Sequence, residues 1–191
     1  MKKVTKGKGI DPSILKILEK NNQGIKLDLG CGAMKNPGFV GMDYRKMEGV
    51  DIAHDLEVFP YPLPNESCSM VVSSHVLEHI NPHGYIFIRL MNEVWRIMKP
   101  GAEFLIAVPY AGSPGYWQDP SHCNGINEVT FDYFDPKGTA SNGLLYGIYR
   151  PYPWLLKINT WHDQGNLEVV LVKRKIDKEY KVDEETWGKL Y

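Results

Sequence analysis

The sequence predicts an α/β fold in which a mainly parallel sheet is closed by an antiparallel C-terminal hairpin. Three observations predict it. Five apolar, strand-like runs, 25–29, 39–42, 50–53, 70–72 and 102–108, are each bounded by Gly, Pro, Asn, Asp or Ser. Runs this apolar suit strands buried on both faces, as in parallel sheets. Between the fourth and fifth, Ile86, Leu90, Met91, Val94, Trp95 and Met98 recur at helical spacing. Finally, two β-rich runs at 146–158 and 167–172 straddle the turn-like Asp163-Gln164-Gly165-Asn166, the pattern of a hairpin.

The remaining elements follow from their end signals. Asp11-Pro12-Ser13 reads as a cap followed by proline at the first helical position, and Ile14, Leu15, Ile17 and Leu18 give the apolar stripe that Asn21-Asn22 ends. Asn81-Pro82 opens the long helix in the same way, and Lys99-Pro100-Gly101 closes it. A short helix is expected over 129–134. The Pro- and Gly-punctuated stretch 109–127 is too long for a simple connector, which marks it as a functional loop.

Composition restricts the function classes. The chain has 191 residues, 43% of them hydrophobic and 24% charged, with a formal net charge of −1. That describes one globular domain, with 1–10 and 176–191 as tails, and does not predict general affinity for nucleic acid. Basic residues gather only near the ends, at Lys2, Lys3, Lys6 and Lys8 and at Lys173, Arg174, Lys175 and Lys178. No run approaches the ~20 apolar residues of a membrane span, and no apolar signal core follows the first lysines, so the expected location is the cytoplasm. Cys31, Cys68 and Cys123 are scattered without a C-x-x-C pair, which predicts reduced thiols and no zinc framework.

Asp28-Leu29-Gly30-Cys31-Gly32 follows the first strand directly. Two glycines one residue apart let the backbone turn sharply and approach a ligand with no Cβ in the way. Asp43 stands at the end of the next strand, where a carboxylate can accept from both hydroxyls of a ribose, and Asp55 ends the third in His54-Asp55-Leu56. Three successive strand ends therefore offer polar groups to one nucleoside. A nicotinamide dinucleotide would call for glycine at Lys35 and an acid about 20 residues beyond the glycines. Asp43 comes too early for that. Only 33–38 separate the turn from the second strand, fewer than the dozen residues of a full crossover, so the first crossover helix must be shortened.

With these motifs the chain resembles the class I S-adenosylmethionine-dependent methyltransferases, in particular the methyltransferase type 11 group. The resemblance rests on Leu27-Asp28-Leu29-Gly30-Cys31-Gly32, Gly41-Met42-Asp43, His54-Asp55-Leu56, Ser73-Ser74-His75-Val76-Leu77-Glu78-His79, and Arg96-Ile97-Met98-Lys99-Pro100-Gly101. It implies a Rossmann-like, mainly parallel seven-stranded sheet and S-adenosyl-L-methionine as cofactor. It also implies that Asp28, Gly30 and Gly32 hold the methionine part, Asp43 the ribose, and Asp55 with Leu56 the adenine. Ser74 and His75 would lie near the methionine end, with Cys31 and Tyr44 as further cofactor contacts.

Methyl transfer from a sulfonium is mainly a matter of bringing a nucleophile into line, and a hydroxyl acceptor adds the need for a general base. His79, Asp119 and His122 are the candidates, with Tyr110, Tyr116 and Trp117 as aromatic walls of the long loop. His75, Glu78, His79 and His122 raise a metal reading, but H-E-x-x-H is absent and no metal is expected. The expected acceptor is a small molecule or glycan-like compound. A catalytically silent cofactor-binding scaffold and, less favoured, a nicotinamide-dependent oxidoreductase are the alternatives. Oligomeric state is not legible.

Overall fold

The computed structural model describes residues 10–138, 142–162, 165–176 and 180–187. Its first element, α1 (Pro12–Lys20), begins where the sequence places it. The Asp11 carboxylate accepts from the Ser13 backbone N–H at 2.7 Å, Pro12 takes the first turn, and Ile14 is buried. The last turn closes where the Asn21 N–H donates to the Ile17 and Leu18 carbonyls.

Seven strands follow: β1 (Ile25–Leu29), β2 (Val40–Asp43), β3 (Ile52–Ala53), β4 (Cys68–Ser74), β5 (Met98–Pro109), β6 (Trp154–Trp161) and β7 (Asn166–Lys173). They form one sheet in the order β3-β2-β1-β4-β5-β7-β6. The first five pair in parallel, and β7 runs antiparallel to both β5 and β6. Leu27 pairs with Val40 on one side and Val71 on the other, and Ile25, Leu27 and Leu29 are fully buried. The chain leaves β1 toward β2 on one side and returns to β4 on the other. That reversal opens a crevice at the carboxyl ends of β1 and β4.

One long helix, α2 (Ile86–Ile97), crosses from β4 to β5. Buried residues all around it include Leu90, Met91, Val94 and Trp95 and also Asn92, Glu93 and Arg96. The polar ones are satisfied by connectors that have no helix of their own. Glu93 Oε1 accepts from the Tyr61 N–H at 2.6 Å, Arg96 donates to the Leu63 carbonyl at 2.9 Å, and Asn92 Oδ1 accepts from the Tyr152 N–H at 2.9 Å. These bonds bind 54–67 and 150–153 to the helix and spare buried backbone groups from going unpaired.

Several boundaries differ from expectation. No helix separates β1 from β2, in keeping with the shortened crossover. β3 starts at Ile52 rather than 50, because the preceding residues are held in a turn by Val50 N–H on Met47 O and by Asp51 on Gly41 N–H. The 3-10 turn His83–Tyr85 follows the Asn81 Asx bond, and Tyr85 at φ 60° keeps it separate from α2. β5 begins at Met98, immediately after α2, so Lys99-Pro100-Gly101 lies within the strand and shifts its register against β4.

The run 146–158 is not wholly strand. Tyr146–Tyr149 is a helical turn, α4, held by Tyr146 Oη on the Pro151 carbonyl, and left-handed Arg150 ends it before β6. Aromatic and β-branched residues serve a short helix as well as a strand when tertiary contacts bury them, as they do Tyr146. Within 109–127, Pro114–Trp117 forms the short helix α3, capped by Ser113, and the helix expected at 129–134 is a 3-10 turn, Thr130–Tyr133. The C-terminal stretch 176–191 is not all tail. Glu184–Trp187 forms α5, and Trp187 Nε1 donates to the Tyr149 carbonyl at 2.8 Å. Lys2, Lys3, Lys6, Lys8, Lys178 and the Asp163-Gln164 part of the hairpin turn lie outside the described residues.

Glu93 and Arg96 give a test of this packing, because both are almost fully buried and linked by Arg96 Nε on Glu93 Oε2 at 2.8 Å. Removing one partner leaves the other charge buried and unpaired. Glu93→Ala is expected to lower unfolding free energy by about 3–5 kcal/mol in urea titrations, and adding Arg96→Met to recover part of the loss. Additive losses in the double variant would show that the pair is not the source.

Candidate functional site

The turn after β1 is built for a backbone that curls into the crevice. Gly30 adopts φ +66° and donates its N–H to the Met42 carbonyl at 2.8 Å, and Gly32 at φ +53° donates to Asp43 Oδ2 at 3.0 Å. A Cβ at Gly30 would overlap the Val76 side chain, whereas one at Gly32 would meet nothing within 4 Å. The first glycine is thus required by packing and by φ, the second by φ and by the space beside it. Asp43 is buried, and its other oxygen accepts the Arg45 N–H at 3.0 Å.

Beyond these strand ends lies a cavity of about 630 Å³, within the range of small-molecule sites. Gly30, Gly32, Asp43, Tyr44, Asp55 and Leu56 form one side of its lining, and His75, Val76, His79 and Ser121 also line it. Asp55 uses one oxygen to accept the Glu57 N–H at 2.9 Å. Leu56 is buried, with its carbonyl accepting from Tyr61 Oη at 2.9 Å. His75 turns into the lining from the end of β4 at φ +55°, its N–H donating to the Ala107 carbonyl at 2.8 Å. A side-chain-bearing residue in the left-handed region is held there by its surroundings.

Three expected cofactor residues are not among those lining the cavity. Asp28 is buried, and one of its oxygens accepts both the backbone N–H and the side-chain amide of Asn36, at 2.8 and 3.0 Å. Its carboxylate therefore staples the short β1–β2 connector. Cys31 packs its sulfur against Gly41, where a Cβ would lie 2.6 Å from Sγ. Burial, with the charges of Asp28 and Asp43, pushes the Cys31 thiol up to about 11, so it stays protonated. Ser74 is exposed at the end of β4.

The catalytic candidates are brought together by the long loop folding back on the 3-10 turn Leu77–His79. The Glu78 carbonyl accepts the Cys123 and Asn124 N–H groups, both at 2.9 Å, and Asn124 Nδ2 donates to the Leu77 carbonyl at 3.1 Å. The His79 and His122 rings then stand edge to face, 4.8 Å apart between centroids. Ser121 donates to Asp119 Oδ1 at 2.6 Å and sits 3.1 Å from His79 Nδ1. Since that hydroxyl proton is committed to Asp119, Nδ1–H of His79 is the donor. His122 Nδ1 lies 2.6 Å from the Tyr116 carbonyl, which can only accept. Each neutral imidazole thus keeps its free lone pair on Nε2.

Asp119 is held below the usual carboxylate range by its two bonds from Ser121. Tyr110, Tyr116 and Trp117 do not line the cavity: Tyr110 packs on Trp161, and Trp117 is exposed. Sequence reasoning missed Ser121, Arg45 and Glu57, which do line it. Ser121 carried a signal in Asp119-Pro120-Ser121, an Asx-turn pattern, but nothing in the sequence points it at a histidine 42 residues away.

Comparisons with known proteins bear on the fold that carries this site. Residues 43–106 match a family model described as a methyltransferase domain. The match covers 64 of the 191 residues. It runs from the end of β2, through β3, β4 and α2, into β5. Among solved structures, a 16S rRNA (adenine(1408)-N(1))-methyltransferase variant from Catenulisporales acidiphilia, solved with the cosubstrate SAM, superposes with a TM-score of 0.52. It is 15% identical over 90% of this chain and 95% of that one. A protein of Pyrococcus horikoshii OT3 reaches 0.51 at 16% identity, over 85% and 88% of the two chains. A SAM-dependent methyltransferase from Archaeoglobus fulgidus reaches 0.50 at 15%, over 83% and 94%. These likenesses establish the Rossmann-like fold. No curated protein sequence matches the chain.

Gly30 and Gly32 should differ in their tolerance of a side chain. Gly32→Ala incurs only the left-handed penalty, about 1–2 kcal/mol, and Gly30→Ala adds overlap with Val76, for a total of about 2–5 kcal/mol. Chemical unfolding of both variants measures the gap, and equal losses would contradict the packing described.

Proposed function

We propose that the chain is an S-adenosyl-L-methionine-dependent methyltransferase that binds its cofactor along the Gly30–Asp43–Asp55 side of the cavity and its acceptor near His79 and Ser121. The observation that carries this reading is the convergence of Gly30, Gly32, Asp43, Asp55 and Leu56, from the ends of three adjacent parallel strands, on one ligand-sized space. The residues present fit the group. Each Asp43 oxygen accepts one backbone N–H and retains a lone pair for one of two neighbouring ribose hydroxyls. Asp55 has one oxygen without a backbone bond, suited to an adenine amino group, and Leu56 offers an apolar surface for the ring. Open space beside Gly32 accommodates the amino-acid end.

When bound, S-adenosylmethionine supplies a methyl group on a sulfonium, already activated for transfer. The chain's own task is to orient an acceptor and manage its proton. His79 is the residue suited to that proton. Its Nδ1–H is fixed through Ser121 to Asp119, which stabilises positive charge on the ring and leaves Nε2 to accept. His122 stands against it as a second imidazole. A small-molecule or glycan-like acceptor suits the size of the cavity and the near-neutral chain better than nucleic acid, since phosphate backbones are held by clustered Lys and Arg. Among the described residues no helix is long and apolar enough to cross a membrane.

Calorimetry with S-adenosylhomocysteine is the direct test. Micromolar binding is expected, weakened about 10- to 100-fold by Asp43→Ala, the effect of losing hydrogen bonds to a charged group. Absence of micromolar binding by the parent chain would overturn the reading. Turnover is checked separately with methyl-labelled cofactor and a panel of small hydroxyl, amine and carboxyl compounds. His79→Gln is expected to lower the rate about 10²-fold or more for a hydroxyl acceptor without changing cofactor affinity. Tight binding with no transfer to any acceptor would instead indicate a silent cofactor-binding scaffold.

A further inference from the structure

Adjoining the cavity-lining His79 is a carboxylate that the methyl-transfer reading does not use. Glu78 is completely buried, and neither carboxylate oxygen accepts a hydrogen bond. Its Oε1 is 3.5 Å from His75 Nδ1 and 3.9 Å from His122 Nε2, too far for hydrogen bonds. A buried carboxylate left in this state is costly unless a positive charge completes its surroundings.

We propose that Glu78, His79 and His122 bind one divalent transition-metal ion at the edge of the cavity, where His79 lines it and the other two do not. One ligand atom from each of the three lies within 4.8 Å of the other two. Ligands about 2.1 Å from a tetrahedral ion stand about 3.4 Å apart, so small side-chain adjustments close the site. The orientation of both imidazoles is the second observation. Ligating histidines characteristically donate the other ring N–H to a carboxylate, carbonyl or hydroxyl, which aims the remaining lone pair at the ion. Here Tyr116 O fixes His122 Nδ1–H, and Ser121, backed by Asp119, fixes that of His79. Both Nε2 lone pairs are free, and the buried carboxylate supplies a negative charge.

Two imidazoles and one carboxylate suit zinc, cobalt or ferrous iron, and do not suit calcium or magnesium, which take oxygen ligands. Three protein ligands leave a position for water or for an acceptor oxygen, as in catalytic rather than structural metal sites. Only the use of the ion rests on the methyl-transfer reading. Next to the acceptor it would polarise a hydroxyl and ease loss of its proton, in place of His79 acting as base.

The test uses the full chain, tag-free and stripped with chelator, titrated with Co²⁺ followed by visible absorption and with Zn²⁺ by calorimetry. One ion per chain at micromolar affinity or tighter is expected, with the absorption of a four- or five-coordinate Co²⁺. Glu78→Gln and His122→Ala are each expected to weaken binding at least tenfold. Cys123→Ser and His162→Ala should leave it unchanged, since Cys123 is an exposed thiol near His79 and His162 pairs with Glu168. Lack of stoichiometric binding by the parent chain overturns the proposal with no reliance on any variant. So does loss of binding that follows Cys123. S-adenosylhomocysteine titrated into the same samples separates the two readings: metal without cofactor binding overturns the methyl-transfer reading alone, and cofactor without metal binding overturns this one alone.

Discussion

Parallel pairing of β1 and β2 across a connector too short for a helix is the constraint on which the rest of the site depends. A crossover normally spends a dozen or more residues returning the chain to the starting edge. Here 30–39 must do it, and the chain reverses at once through left-handed Gly30 and Gly32. Asp28 holds the far end of the loop through Asn36, Asp43 holds the near end through the Gly32 N–H, and Asp51 ties Lys35 and Gly41 together. The glycine turn is therefore clamped by carboxylates from three places in the chain, and it is this clamp that presents Gly32 and Asp43 side by side.

The opposite wall is assembled by a different device. A 3-10 turn at Leu77–His79 offers its carbonyls to the returning loop, and Cys123 and Asn124 dock on them. Docking brings His122 to His79 and buries the carboxylate of Glu78 beneath them. Burial pushes the Glu78 carboxyl above its ordinary range, with His75, His79 and His122 pulling the other way. The two walls differ in character as a result, one of backbone turns and acids, the other of imidazoles around one carboxylate.

Much of the fold was legible because its signals are local. The cap at Asp11 and the apolar run of β1 each reside in a few consecutive residues and survive in the structure almost unshifted, and the helical stripe survives in α2 from Ile86 to Ile97 with both ends trimmed. Failures fall where tertiary contacts outweigh local preference. Tyr146 is helical because Pro151 accepts its hydroxyl and the core takes its ring, and Met98 is drawn into β5 by pairing with Cys68. Trp187 turns an expected tail into a docked helix by reaching the Tyr149 carbonyl.

The same division holds at the site. By itself the sequence determined the sheet, the left-handed glycine turn and the acids at the ends of the second and third strands, because strand period, turn chemistry and short spacing act over neighbouring residues. It could not assign Asp28, whose type suits a ligand as well as Asn36, nor place Ser121 and Glu78. Only the tertiary structure decided those, since a hydrogen bond between His79 and Ser121, or a carboxylate between three histidines, joins residues that no local periodicity relates.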